Sequence, residues 1–254
     1  MANEYNHGVE QSERAHGAWL AERDPELQWG WGTPAGKLRA ERRAQLIARG
    51  AGLSAGMKAL EIGCGTGNFT ERFLTCGATI LAVDLSPDLL ERARARGLSK
   101  DRVTFLLSPF EDCAVQGPFD AVIGSSVLHH LDREKSFKRI LELLKPGGWM
   151  SFAEPNMLNP QVWMMMHARC LFPHVSPDET AFYKWPLKRQ LAAAGFENVS
   201  ITPFDWLHPS TPESLIKLVK RTESVVECLP LAREFAGSLA MRAQKPLPCR
   251  VTSN

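Results

Sequence analysis

Short apolar runs of strand length alternate with stretches whose apolar residues fall at helical spacing, from Met57 to Glu154. MKALEIG, ATILAVD, VTFLL, FDAVIGSS and WMSFAE read as five strands. The helices between them have recognisable ends. NFTERFLTCG closes at Gly77, and SPDLLERARARG has Ser86 as N-cap, Pro87 at the first helical position and Gly97 as stop. Between Asp132 and Lys145, Phe137, Ile140, Leu141 and Leu144 follow a helical period, and KPGG ends that helix. Such alternation predicts βαβ units and a mainly parallel sheet. Right-handed crossovers then cover both faces with helices and bring the strands' carboxyl ends to one edge.

The flanks follow a looser pattern. Residues 1–34 are polar, with Trp19, Trp29 and Trp31 interspersed, which predicts an ordered arm packing over something. Residues 35–50 read as a basic amphipathic helix with Leu38, Leu46 and Ile47 on one side and Gly50 as stop. Its Arg39, Arg42 and Arg43 form a solvated face or, as the alternative, meet an anionic acceptor. RARARGLSKDR reads as solvent-facing. Beyond the fifth strand comes an insertion rich in Met and aromatics, then PLKRQLAAAGF as a helix and NVSITPF as a sixth strand. Thr211 N-caps a further helix whose apolar side is Leu215, Leu218, Val219, Val225 and Val226. GSLAMRAQK closes the chain as a seventh strand, antiparallel and inserted beside its neighbour. The expected fold is α/β: a Rossmann-like seven-stranded mixed sheet with helices on both faces and helical caps. Residues 1–50 are an arm and helix capping the site, 51–245 the main domain with cap insertions at 156–185 and 205–236, and 246–254 a tail.

Composition narrows the function. A net charge of +2 gives no reason to expect a nucleic acid, and the six cysteines form no CxxC pair, which argues against a zinc cage or disulfide framework. No metal site is expected. No apolar stretch approaches the ~20 residues that cross a bilayer. The polar, acidic N-terminus is unlike a secretory leader, so a cytoplasmic protein, or one touching membranes only from the side, is expected.

Gly63, Gly65 and Gly67 in ALEIGCGTGNFT stand between the first strand and its helix, where backbone N–H groups point into the crevice of a parallel sheet. A Cβ there would collide with a ligand lying on the backbone. Asp84 ends the second strand at the distance expected of a ribose-binding acid. The spacing is GxGxG preceded by Glu61, with Asn68 where a dinucleotide fingerprint has its third glycine. LEIGCGTG, AVDLSPDLLERAR, FDAVIGSSVLHHL and LLKPGGWMSFAEP together resemble the ordered motifs of the class I S-adenosylmethionine-dependent methyltransferases, of the small-molecule, methyltransferase-11-like kind. The resemblance covers 57–155 strongly and 186–245 weakly. It implies that Glu61, Gly63, Cys64, Gly65 and Gly67 cradle the methionine and ribose portion of S-adenosylmethionine. It also implies that Asp84 holds the ribose hydroxyls, Leu85 lies beside adenine and Ser125 lines the sulfonium side. Pro109 stands where many members carry an Asp for the adenine amino group. Phe110, through its backbone, or Glu111 would serve instead. S-adenosylhomocysteine would be the product.

The implied reaction is in-line methyl transfer to a small-molecule acceptor, at oxygen or nitrogen. It needs orientation above all, and a base only for a protonated acceptor. His129 and His130 follow the fourth strand, and Glu154 ends the fifth with Asn156 after it, so these are the catalytic candidates. Asp205 and His208 offer a second acid/base pair. VWMMMHARCLF either packs an insertion onto the sheet or forms part of a lid over an apolar, lipid-like acceptor. The rival readings are an NAD-dependent oxidoreductase and a non-catalytic partner-binding protein with a vestigial cofactor site. A base-flipping enzyme is disfavoured by the lack of a basic stripe or NPPY-type motif.

Overall fold

A computed structural model of the chain describes residues 2–169, 172 and 179–248. Cys170, Cys249, most of the insertion's second half and the end of the tail lie outside the described residues. In chain order the elements are helices α1 (Ala2–Ala21), α2 (Pro25–Gln28) and α3 (Pro34–Ala51), then β1 (Lys58–Ile62), α4 (Asn68–Leu74), β2 (Thr79–Asp84), α5 (Pro87–Ala95), β3 (Val103–Leu107) and β4 (Phe119–Ser125). A single 3-10 turn, Leu128–His130, leads to α6 (Arg133–Leu143) and β5 (Leu144–Pro155). There follow α7 (Pro160–His167), α8 (Lys184–Ala193), β6 (Glu197–Phe204), α9 (Glu213–Val226), α10 (Pro230–Arg233) and β7 (Ser238–Gln244).

The strands form one sheet in the order β3-β2-β1-β4-β5-β7-β6. The first five are parallel, and β7 runs antiparallel between β5 and β6. The expected seven-stranded mixed sheet is therefore present. Alternation along each strand divides the core. Leu60, Ile62, Val83, Val122 and Phe152 pack towards α6 and α8, while Ala59, Ile80, Ala82, Ile123 and Ala153 pack towards α3, α4 and α5. Each Ile or Phe buried this way contributes about 1.5–3 kcal/mol.

Several local expectations are corrected. The helix over 34–51 does not stop at Gly50; Gly52, at φ 65°, is its left-handed cap. Its packed face is Ala40, Ala44, Ile47 and Ala48, small residues that let it lie close to the sheet, whereas Leu38 is exposed. The helix before KPGG ends at Leu143, and KPGG lies within β5, opposite an irregularity in its pairing with β4. Pro212, not Thr211, occupies the cap of α9. Of the expected apolar side of α9, Leu215, Leu218 and Val225 face solvent. Ile216 and Glu223 are the residues buried.

The arginines expected in water hold pieces of the fold together. Arg92 donates to the Ala21 and Arg23 carbonyls, and Arg96 binds Glu26, Glu71 and the Thr66 carbonyl. They clamp the segment around α2 onto α4 and α5. No helix among the described residues is long and apolar enough to cross a membrane.

Candidate active site

The carboxyl ends of β1, β2 and β4 open into a cavity of about 1490 Å³, roofed by α1, the α2 segment and α7. Gly63, Cys64, Gly65, Asp84, Leu85, Phe110, Ser125, His129 and His130 all line it. Glu61, Gly67 and Glu154 do not.

The glycine loop is built for left-handed backbone, with φ of 66°, 52° and 76° at Gly63, Gly65 and Gly67. The chain's own atoms already exclude side chains. A Cβ on Gly63 would run into Val127 and one on Gly67 would press against Ala93. One on Gly65 would lie 3.4 Å from the Trp29 ring. Gly63 and Gly65 both line the cavity, Gly65 beneath that tryptophan.

Asp84 Oδ2 accepts the Gly65 N–H at 2.7 Å and Oδ1 the Ser86 N–H at 2.9 Å. Each oxygen keeps a lone pair for a ligand hydroxyl. Burial pushes its carboxyl above the usual range, and the Ser86 and Gly65 N–H groups draw it back down. Glu61 lies beneath the loop, 1% exposed, with Oε2 unpartnered among the described residues. Burial raises it to about 8, so it is mostly protonated at neutral pH. Its place is under the cradle, not on the cavity wall.

Arg43 is the residue that sequence reasoning misjudged most. Its side chain crosses from α3 through the sheet edge and is 2% exposed. Nε donates to Ser125 Oγ at 2.9 Å, Nη1 to Ser238 Oγ at 3.0 Å, and Nη2 to Ser126 Oγ and the Ala153 carbonyl. Burial lowers its pKa to about 10, opposed by the charges of Asp205 and Glu154, so it remains a cation. Among the described residues no carboxylate touches it, and it faces the cavity. Ser126, a non-glycine at φ 54°, is held in that conformation where the guanidinium needs its hydroxyl. One signal was readable: Arg43 falls in register with Ala40, Ala44 and Ile47, the stripe that packs on the sheet.

Glu154, expected to meet the acceptor, is fully enclosed behind the loop after β4. Its Oε1 accepts the Val127 and Leu128 N–H groups, both at 3.0 Å, and its Oε2 lies 2.6 Å from His129 Nδ1. It caps that loop. Burial opposes a charged His129, but the bond to Glu154 and the charges of Glu154 and Glu179 prevail and raise it to about 9. Burial likewise opposes the Glu154 carboxylate, and His129 outweighs it, so its pKa falls below the usual range. His130 is the more open of the two, with Nδ1 3.2 Å from Glu13 Oε1 of α1. Pro109, Phe110 and Glu111 line the far end of the cavity. Glu111 Oε1 accepts the Asp132 N–H.

The second acid/base pair is also engaged. Asp205, at φ 83°, holds Arg39 by a bidentate pair at 2.7–3.0 Å. His208 Nδ1 accepts the Ser210 N–H at 3.1 Å, and its Nε2 lies 2.5 Å from the Gln161 side-chain nitrogen. Beside them Val162, Met165 and Met166 of α7 face the cavity.

Residues 59–148 match the family described as "Methyltransferase domain". A ubiquinone biosynthesis O-methyltransferase of Xanthomonas oryzae pv. oryzae is 31% identical over 151 residues, which cover 58% of this chain and 63% of the relative. The match thus spans less than two thirds of that relative's length. Among solved structures, the N-methyltransferase NodS of Bradyrhizobium japonicum WM9, in complex with S-adenosylhomocysteine, superposes with a TM-score of 0.62 at 18% identity. That similarity covers 92% of this chain and 98% of the other. The phosphoethanolamine N-methyltransferase 2 of Haemonchus contortus, in complex with S-adenosylmethionine, gives 0.61 at 18% identity over 86% of this chain and 56% of the other. Both show the same fold.

Proposed function

Because this chain carries a class I S-adenosylmethionine-dependent methyltransferase domain, we propose that it methylates a small apolar acceptor, at oxygen, inside the continuous cavity above β1, β2 and β4. The observation that carries this reading is the cavity itself. At about 1490 Å³ it exceeds the ~300–1,000 Å³ of a one-ligand pocket, and it joins the glycine loop to the methionines of α7 without interruption. Room for a cofactor and an acceptor in contact is what a direct transfer requires. The name of the Xanthomonas relative supports oxygen over nitrogen.

The residues present fit the cofactor. The Asp84 carboxylate, with a free lone pair on each oxygen, suits a vicinal diol. The cationic Arg43, surrounded by neutral hydroxyls, suits the amino-acid carboxylate at the other end. Leu85 and Phe110 offer apolar walls to the base, with Pro109 closing that end. When bound, S-adenosylmethionine supplies an already activated methyl group. The protein's part is to aim and to exclude water. Orientation of this kind is worth about 7–11 kcal/mol of barrier. Ser125 and Ser126, fixed by Arg43, set the edge past which the acceptor approaches. Met165, Met166 and Val162 enclose it. His130 takes the acceptor's proton where the acceptor enters protonated, while Glu154 and His129 hold the loop that presents His130.

The test has two stages. Calorimetry with S-adenosylmethionine should show binding to the whole chain, and methyl-labelled cofactor should label an apolar extract component on oxygen. Absence of binding overturns the reading. With that acceptor in hand, His130→Gln should lower kcat by about 10²–10⁴ with cofactor affinity unchanged, and an unaltered kcat removes the base.

A further inference from the structure

We propose that the outer face of α9, continued by α10, is a membrane-adsorbing surface that fits anionic phospholipid. This goes beyond methyl transfer, since adsorption requires none. Leu215, Leu218, Thr222 and Val225 recur at steps of three and four residues and so form one stripe along α9. The stripe is unpartnered: Leu218 is 58% exposed and Val225 63%, and just beyond the helix Leu231 reaches 84%. Scattered exposed leucines need no explanation, but a continuous row on one helix does.

Charge indicates what covers it. Glu223 and Glu227 turn inward, where they pair with Arg42 and accept the Trp206 and Asp205 N–H groups. The exposed charges of α9 are thus Lys217, Lys220 and Arg221 against Glu213 alone. An apolar stripe flanked by Lys217 and Arg221 is the pattern of a helix lying in the headgroup layer of an anionic bilayer. A two-fold contact with a second copy would set those cations against one another.

Position supports the same conclusion. Ile216, on the inner side of α9, packs with Leu207, which lines the cavity, and the partly buried Val219 packs against them. Nearby, α7 turns Met165 and Met166 into the cavity and leaves Trp163 and Met164 exposed. Its N-cap residue Asn159 holds the Phe235 carbonyl just after α10. One thin layer of protein therefore separates the apolar outer surface from the apolar end of the cavity, a short route for a lipid-like acceptor.

Co-sedimentation of the full chain with vesicles tests this. Equimolar phosphatidylglycerol and phosphatidylcholine should pellet the protein, pure phosphatidylcholine should do so far less, and high salt should release it. Leu218→Ser combined with Val225→Ser should weaken binding about tenfold or more. Lys217→Glu combined with Arg221→Glu should abolish the preference for anionic vesicles. Cofactor affinity, measured on the same variants, should stay unchanged and certifies their fold. No pelleting with either vesicle overturns the proposal. So does a concentration-dependent dimer in solution that Leu218→Ser with Val225→Ser dissociates, since a second copy would then cover the face.

Discussion

Replacing Glu154 by Gln removes one negative charge and almost no volume. Gln Oε1 can keep the Val127 and Leu128 N–H groups, so the loop after β4 retains its cap. What is lost is the partner of His129 Nδ1, because an amide N–H cannot hold an imidazolium. Raising His129 from 6.5 to about 9 corresponds to about 3 kcal/mol. A charge-assisted hydrogen bond is independently worth about 1.5–3 kcal/mol, so the two routes agree. The sign follows from the direction of the shift. The folded protein binds the His129 proton more tightly than the unfolded chain. The contribution is therefore complete below pH ~6.5 and is lost as pH rises through about 9. Urea unfolding of both proteins at pH 6, 8 and 10 measures it. The gap should be about 3 kcal/mol at pH 6 and close to nothing at pH 10. A gap of equal size at both ends would mean a packing defect and not an ion pair. A gap under ~0.5 kcal/mol at pH 6 would mean that the pair contributes nothing.

Other substitutions separate the roles assigned to the cavity wall. Asp84→Ala should weaken S-adenosylmethionine binding about 100-fold, from two lost hydrogen bonds to a charged group, by calorimetry; undiminished affinity would displace the ribose from this carboxylate. Arg43→Lys keeps the charge but loses the fork that spans Ser125, Ser126 and Ser238. Cofactor affinity should fall about tenfold, with S-adenosylhomocysteine affected equally, and an effect on turnover alone would move Arg43 to the acceptor side. Glu61→Gln should stabilise the protein. With its folded pKa raised from 4.5 to about 8, stability declines as pH climbs between those values, and the amide should recover about 3 kcal/mol at pH 7 in thermal or urea unfolding. Loss of stability there would mean that Glu61 is ionised and paired.

The parallel sheet was legible because its signal is local and repeated. Each strand is a short apolar run, and stop signals such as Ser86–Pro87 and Gly97 obey rules that hold within a few residues. The glycine loop and Asp84 were legible for the same reason. Arg43 was not, because an arginine's charge reads as solvent until three serines from β4, its following loop and β7 surround it. Those residues lie 82 to 195 positions away in the chain. Glu154 looked like an acceptor ligand because it ends a strand at the crevice, yet two N–H groups and an imidazole from the neighbouring strand's loop claim it first. In α9 the apolar side was seen and its direction was not. Amphipathicity gives the stripe but not which side the core takes, and here the pairs of Glu223 and Glu227 with Arg42 decide it.

The cavity's floor and roof are built with very different strength. The floor is the edge of a seven-stranded sheet with a core on each side. The roof near Asp84 is the arm that carries Trp29 over Gly65, tied to α5 and α4 by Arg92 and Arg96 and seated on buried Leu20 and Pro25. These ties stand apart from the sheet's two cores, so the arm can lift while the sheet stays whole. Exchanging spent for fresh cofactor then demands a door on hinges, with the walls of the house left standing.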